Sequence, residues 1–322
     1  MHRYVLKRVL MVIPIVLGVT LLVYFIMDLT PGNPAMMILG DAATQEDIDR
    51  VNEEYGFNKP FIERYVSYMT DALQGNFGKS YVNGRPVMVE VLAKFPLTLS
   101  LAFFGVFFAS LIGVPLGIQS AVKQYSLFDS VSVVTAMLLS AVPAFWLGMI
   151  FILLFALRLR WLPPSGIETW RHYILPVATV TFPQAASILR FSRSTMLETI
   201  RQDYIRTARA KGAKESVVIY KHALKNALLP IITVIGVQFG GLLGGIVIVE
   251  SVFSLPGMGQ LAITAIRMKD VPQIMAAIIF LSFVFCLIML VVDLLYAFVD
   301  PRIRSIYSVK RERSSHANKK MF

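Results

Sequence analysis

Cysteine is nearly missing from this chain. Cys286 is the only one in 322 residues, so an internal disulfide and a Cys-rich metal site are both excluded. Charge is scarce as well: 16% of residues are charged against 56% hydrophobic, and mean hydropathy is +0.65. That balance excludes an ordinary soluble domain. The four histidines, His2, His172, His222 and His316, are scattered without metal-ligand spacing. With no H-E-x-x-H, no G-x-S-x-G and no Asp pair inside an apolar run, the chain shows no machinery for a membrane enzyme. Paired acids, bases or histidines within the apolar runs are absent too, which argues against a proton relay. No convincing inverted repeat of broken helices marks a secondary transporter.

A phosphate-binding loop is also lacking. "GNFGKS" (Gly75 to Ser80) imitates one, but the first glycine of G-x-x-x-x-G-K-[ST] would fall at Leu73. ATP therefore has no binding site in this chain.

What the chain has is six charge-free apolar runs: Val9 to Met27, Phe95 to Val122, Ser130 to Leu157, Tyr173 to Leu189, Asn226 to Val249 and Val271 to Val292. Each approaches or exceeds the roughly 20 residues a helix needs to cross a hydrocarbon core about 30 Å thick. The expected fold is an all-α membrane protein with six transmembrane helices. "MHRYVLKR" and the first run resemble a signal peptide, but the run is long and ends in "MDLTPGNP" without a small-x-small cleavage pattern, so it reads as a retained span. Of the 31 Lys and Arg residues, 20 fall on the side that carries both termini. By the positive-inside rule both termini are cytoplasmic. The formal charge of +11 thus follows from topology; no nucleic-acid partner is needed, and anionic membrane lipid suits the basic inner face.

The chain divides into an N-terminal tail and first span (1–29), an extracytoplasmic segment (30–94), a core holding the remaining spans (95–305) with a cytoplasmic loop (190–226), and a basic cytoplasmic tail (306–322). In the outer segment Thr44 stands three residues before Asp47, a capping-box spacing, and Ile48, Val51 and Tyr55 share a helical face. Phe61, Tyr65, Tyr68 and Leu73 repeat the pattern, so two short amphipathic helices are expected on the outer surface. Gly105, Ala109, Gly113 and Gly117 recur every four residues in the second span, and Gly236, Gly240 and Gly244 in the fifth, with Gly241 and Gly245 beside them. Such ribbons serve close helix packing, either within the chain or against a second subunit. Asp293 is the one acid expected within a span, and a structural ion pair with Arg302 or Arg304 is its expected state.

The basic loop is the distinctive feature. Met196, Ile200, Tyr204 and Ala208 lie at i, i+4, i+8 and i+12, which predicts one helix running from the fourth span to Gly212, a suitable C′ residue. "AKESVVIYKHALKNA" predicts a second helix, and Pro230 is expected to open the fifth span. Small residues Ala208, Ala210, Gly212 and Ala213 crowd the tip. A merely solvated loop would not need them; a docking surface would.

"DYIRTARAKGA" followed by "HALKNALLP" resembles the cytoplasmic loop of permease subunits of ATP-binding-cassette importers, specifically the dipeptide, oligopeptide and nickel group. "TPGNPA", "FPLTLSLA", "SAVPAFWLGM", "RSTM" at Arg193 to Met196, "ESVFSLPGMG" and "DLLYAFVDPRIR" extend the likeness, in order, over residues 1–305. The resemblance implies a type I ABC importer permease fold, a second homologous permease, one or two ABC ATPase subunits that bind ATP and Mg, and an extracytoplasmic substrate-binding protein. It also implies that Asp203, Arg206, Thr207, Ala208, Ala210, Gly212 and Ala213 form the ATPase-coupling loop. The general importer motif has Glu-Ala-Ala six residues before the glycine; here Arg206, Thr207 and Ala208 stand there, and Asp203 is the nearest acid. "PGNP" carries Asn33 where much of the group has Asp. Gln184, Ser187 and Gln238 are candidates to line a wet pathway or to bond between helices, and Glu250, Phe253 and Pro256 are candidates for its gate. Di- or oligopeptides are the expected cargo, with nickel chelates, glutathione, opines or sugars as alternatives.

Overall fold

The structure, a computed structural model, describes residues 2–30, 32–40 and 42–299. The pairing of Asp293 with Arg302 and the basic tail therefore lie outside the described residues. Helix α1 (His2–Leu29) is the first span. Three short helices follow, α2 (Pro34–Leu39), α3 (Gln45–Glu54) and α4 (Phe61–Leu73). Asn33 caps α2 by accepting from Ala35 N at 2.9 Å, a role Asn fills as well as Asp. Thr44 caps α3, accepting from Asp47 N and donating to the Asp47 carboxylate at 2.6 Å. Ile48 and Val51 are buried beneath α3, whereas Tyr55 and Leu73, expected on the buried faces, are exposed. Each stands at or beyond the last turn of its helix, where the chain turns away from the packed face.

Helix α4 packs against α1 instead of only covering the outer surface. The Tyr65 hydroxyl donates to Leu17 O at 3.0 Å and lies 2.9 Å from Thr20 Oγ1, so its polar tip is satisfied where the ring is buried. Tyr24 and Phe25 of α1 meet Phe61 edge-on or tilted, and Arg64 pairs with Asp28 at 2.5 Å.

Helix α5 (Val87–Val122) has 36 residues, about 54 Å of helix, and so projects well beyond a bilayer core. Its partner is α8 (Arg171–Ile200). A Cβ at Gly113 would lie 2.6 Å from Ala185 O, and one at Gly117 2.6 Å from Leu189 O. The first glycine ribbon therefore serves packing within the chain: two backbones touch where no side chain intervenes. Gly236 and Gly240 likewise back onto Val292 and Phe285, but Gly241, Gly244 and Gly245 face open space.

The third apolar run is not one straight helix. It divides into α6 (Leu127–Ala141) and α7 (Ala144–Phe151), the latter continuing as a π-helix to Arg158, and the two parts meet at 98°. Pro143 accounts for the break, since it lacks an N–H and drives Val142 into an extended conformation (ψ 123°). Among the described residues, five helices are thus long and apolar enough to cross a membrane, and the bent pair is the sixth if it forms one span. Beyond α8 come α9 (Asp203–Ala210), α10 (Glu215–Val217), a π turn (Val218–Ala223), α11 (Leu224–Gly245), α12 (Val247–Val252), α13 (Met258–Arg267) and α14 (Val271–Val299). Among the described residues the only β feature is an isolated bridge between Lys79 and Pro86.

Candidate functional site

The loop between α8 and α11 is a two-helix knuckle on a packed stem. The expected single helix is interrupted after Ile200: Gln202 is extended (ψ 149°) and α9 starts afresh. The break shifts the buried face by one position. Tyr204, expected inside, is 46% exposed, and Ile205 is wholly buried. Ile205 packs with Met196, Ile118 and Ala121 from the ends of α8 and α5, and with Val218, Ile219, Ala223, Ala227 and Ile231 from the returning helix. This apolar cluster packs the stem as one body with the adjoining ends of α5, α8 and α11.

Gly212 ends α9 as the sequence predicts, at φ +79°. Its N–H donates to Arg209 O at 2.9 Å and that of Ala213 to Ala208 O at 3.3 Å, the paired bonds of a Schellman motif. Ala208 and Ala213 form its apolar contact against the stem. Asp203, Arg206, Thr207, Ala210 and Gly212 are exposed. Thus the structure brings the candidate coupling residues together, two facing the stem and five facing outward. Arg209 and Glu215, not singled out from the sequence, bridge the corner, with Nη2 to Oε1 at 2.7 Å and Nε to Oε2 at 3.1 Å. Their opposite charges on either side of a helix-ending glycine were the available signal. Pro230 lies inside α11, not at its start, because the chain is already helical from Glu215; buried neighbours Ala227 and Ile231 hold that helix against others.

On the opposite side, the loop after α12 is built around a buried acid. Glu250 is fully buried. Its Oε1 accepts from Thr98 Oγ1 at 2.5 Å and its Oε2 from Gln260 N at 3.0 Å, and Thr98 Oγ1 accepts in turn from Met258 N at 2.8 Å. A Cβ on Gly257 would strike the carboxylate, which is why the chain can wrap it so closely. Phe253 is 1% exposed, wedged in the core against α7, where a Cβ on Gly148 would lie 3.2 Å from its ring. Glu250 and Phe253, candidates for the gate, are thus both buried here. Both hold the loop to α5 and α7, and Pro256 alone of the three is partly exposed. Gln184 and Ser187 of α8 and Gln238 of α11 are half-buried, and among the described residues none of their side chains forms a hydrogen bond.

A cleft of about 720 Å³ opens among the outer helices, walled by Tyr24, Tyr55, Phe57, Tyr68 and Tyr81. Burial pushes the Tyr81 and Tyr68 phenols above their usual range.

Residues 113–305 match the family described as binding-protein-dependent transport system inner membrane component, and residues 1–102 match the N-terminal region of such membrane components. The chain is 42% identical over 304 residues to the glutathione transport system permease protein GsiC of Salmonella choleraesuis, covering 94% of this chain and 99% of the relative. It is 41% identical over 333 residues to the dipeptide transport system permease protein DppB of Alkalihalophilus pseudofirmus, covering 94% and 100%. In fold it is similar to a chain of the inward-facing MetNI methionine ABC transporter, with a TM-score of 0.56 at 21% identity over 67% of this chain and 98% of that one. The chain belongs to the inner membrane components of binding-protein-dependent transport systems, as a permease of the dipeptide and oligopeptide group of ABC importers with the type I fold.

Proposed function

We propose that this permease moves di- or oligopeptides inward across the inner membrane, driven through the Gly212 knuckle by separate ATPase subunits that hold ATP and Mg. The observation that carries this reading is the exposed knuckle tip on a buried, rigid stem: a handle that moves only if α5, α8 and α11 move with it. Differential docking of the knuckle in two ATPase states would shift the spans between inward-open and outward-open forms. A second homologous permease completes the pathway, with Gln184, Ser187 and Gln238 lining this chain's share. The extracytoplasmic segment 30–94 and the loop around Pro256 form the mouth to which a substrate-binding protein delivers cargo. The Lys and Arg asymmetry supports cytoplasmic termini. Glutathione is the second reading, favoured by the 42% identity to a glutathione permease.

The test is to purify the tagged chain in mild detergent, identify its companions by mass spectrometry, and measure ATP-dependent uptake of labelled dipeptide and glutathione in liposomes. A second permease and P-loop ATPases, with peptide taken up, are the expected result. Recovery of the chain alone, transporting without ATP, would overturn it.

A further inference from the structure

We propose that Asp129 and Arg193 form a clasp that makes the bent pair α6–α7 follow α8 when the knuckle is moved, so that the pair are positioning residues for transport. The inference rests on the knuckle being the coupling element.

Asp129 lies in the first turn of α6 and is 3% exposed. Three groups converge on its carboxylate with four hydrogen bonds. Arg193 of α8 reaches it with both arms of its fork, Nε to Oδ1 at 2.6 Å and Nη2 to Oδ2 at 2.7 Å. The Ser120 hydroxyl at the end of α5 donates to Oδ1, and Tyr125 N, in a turn with φ +65°, donates to Oδ2 at 2.9 Å. The Asp129 N–H is capped by Ser126 Oγ at 3.2 Å. One side chain thus ties together α5, α6 and α8.

The place of this tie is what suggests a mechanical part. Arg193 stands seven residues before the end of α8, beside Met196, which is buried in the knuckle stem. The stem begins one turn further along the same stripe of α8, at Met196, with Leu197 and Ile200 packed against it. Beside the clasp α8 lies close against α5, where a Cβ on Gly117 would meet Ser192 Cβ at 2.7 Å. Beyond the clasp α6 has its own apolar contact with α8 through Ala136, Ala186 and Leu189. Past the 98° bend α7 presents Gly148 to Phe253, which anchors the outer loop. A contiguous route therefore runs from the knuckle through α8, Asp129 and α6–α7 to the outer mouth. Apolar contacts along it permit small shifts, whereas a buried bidentate ion pair has a single geometry. A route through packed elements is shown to be a coupling route only when its disruption changes coupling.

The experiment uses the whole complex, both permeases with ATPases and binding protein, reconstituted in liposomes. ATP hydrolysed per substrate taken up is measured for wild type, Arg193→Lys and the neutral pair Asp129→Asn with Arg193→Gln. In a Cys286→Ser background, spin labels at Lys211 and at Leu127, which is 82% exposed, report the distance from knuckle tip to α6 with and without ADP and vanadate. In wild type one narrow distance is expected in both states. In the variants that distance broadens and the ATP cost per substrate rises at least about threefold, within the range over which residues on a coupling route act. Unchanged cost and distance in both variants overturn the clasp. So does failure of both to assemble, since the pair would then serve folding and not coupling. Gly212→Val run in parallel separates the two claims: full uptake in that variant removes the knuckle reading, whereas uncoupling by Gly212→Val alone removes only the clasp.

Discussion

Arg209 and Glu215 face one another across Gly212, joined by two hydrogen bonds of 2.7 and 3.1 Å that span the corner of the knuckle. The pair fixes the angle between α9 and the returning helix at the point that projects farthest from the stem. An acid near the glycine is thus present, but Glu215 is held in two hydrogen bonds to Arg209, whereas Asp203 has only a 3.6 Å pair with Arg206 and a side chain 96% exposed.

Replacing Glu215 with Ala should barely change stability. Both side chains are substantially exposed, 40% and 59%, and pairs of that kind are worth about 0–1 kcal/mol. The expected outcome is an unchanged unfolding midpoint with weakened ATPase stimulation by the binding protein. Normal stimulation would show that the angle of the corner does not matter.

Gly212 is required for its backbone conformation and not for space. No atom lies within 4 Å of a Cβ built there, but φ is +79°, a region that costs an ordinary L-residue about 1–2 kcal/mol. Gly212→Asn should therefore retain most uptake, because Asn visits this region readily, whereas Gly212→Val should lose it. Equal loss in both would point to a missing contact with the ATPase instead. Uptake and ATPase assays on the two variants decide the matter.

Gly117 is the opposite case. A Cβ there meets Leu189 O at 2.6 Å and Ser192 Cβ at 2.7 Å, and backbone cannot be moved aside by a rotamer change. Gly117→Ala should destabilise the chain by about 1–3 kcal/mol, as overpacking does. A lowered thermal unfolding midpoint in detergent is the expected reading, and Gly244→Ala, with open space at its Cβ, is the matched control.

Thr98 and Glu250 should behave as a coupled pair. Glu250→Gln replaces one of two accepting oxygens with a donor, which either forces the Thr98 hydroxyl to accept where it now donates or opposes the Gln260 N–H. Thr98→Ala frees the same carboxylate and the Met258 N–H. Each single change should raise hydrogen exchange through residues 250–260, and the double variant should lose less than the sum, as interacting neighbours do. Additive effects would mean that the loop is held by Phe253 alone.

The spans, the caps and the knuckle corner were legible because each is encoded locally. Run length decides what can cross a membrane, Thr44 and Asp47 cap within one turn, and a glycine after basic and small residues ends α9 where expected. The helix from span four to Gly212 was misread because period-four spacing, with Met196, Ile200, Tyr204 and Ala208 in line, also survives a two-residue break that rotates the face to Ile205. The burial of Glu250 and Phe253 was not legible, because an acid and an aromatic at a helix end look the same in sequence whether they face water or a partner. The Asp129 and Arg193 tie, 64 residues apart, left no local trace.

By itself, then, the sequence determined a multi-span all-α membrane chain and the left-handed corner at Gly212. Those properties depend on hydropathy, charge and backbone freedom acting over one or a few helical turns. Tertiary structure alone decided that the first glycine ribbon packs inward on α8, that Glu250 is shut away under Thr98 from 152 residues earlier, and that Asp129 joins three helices. The reason is physical: in lipid, helices associate through close packing and buried polar contacts, and which surfaces meet depends on how the spans are arranged and not on any stretch of sequence read alone.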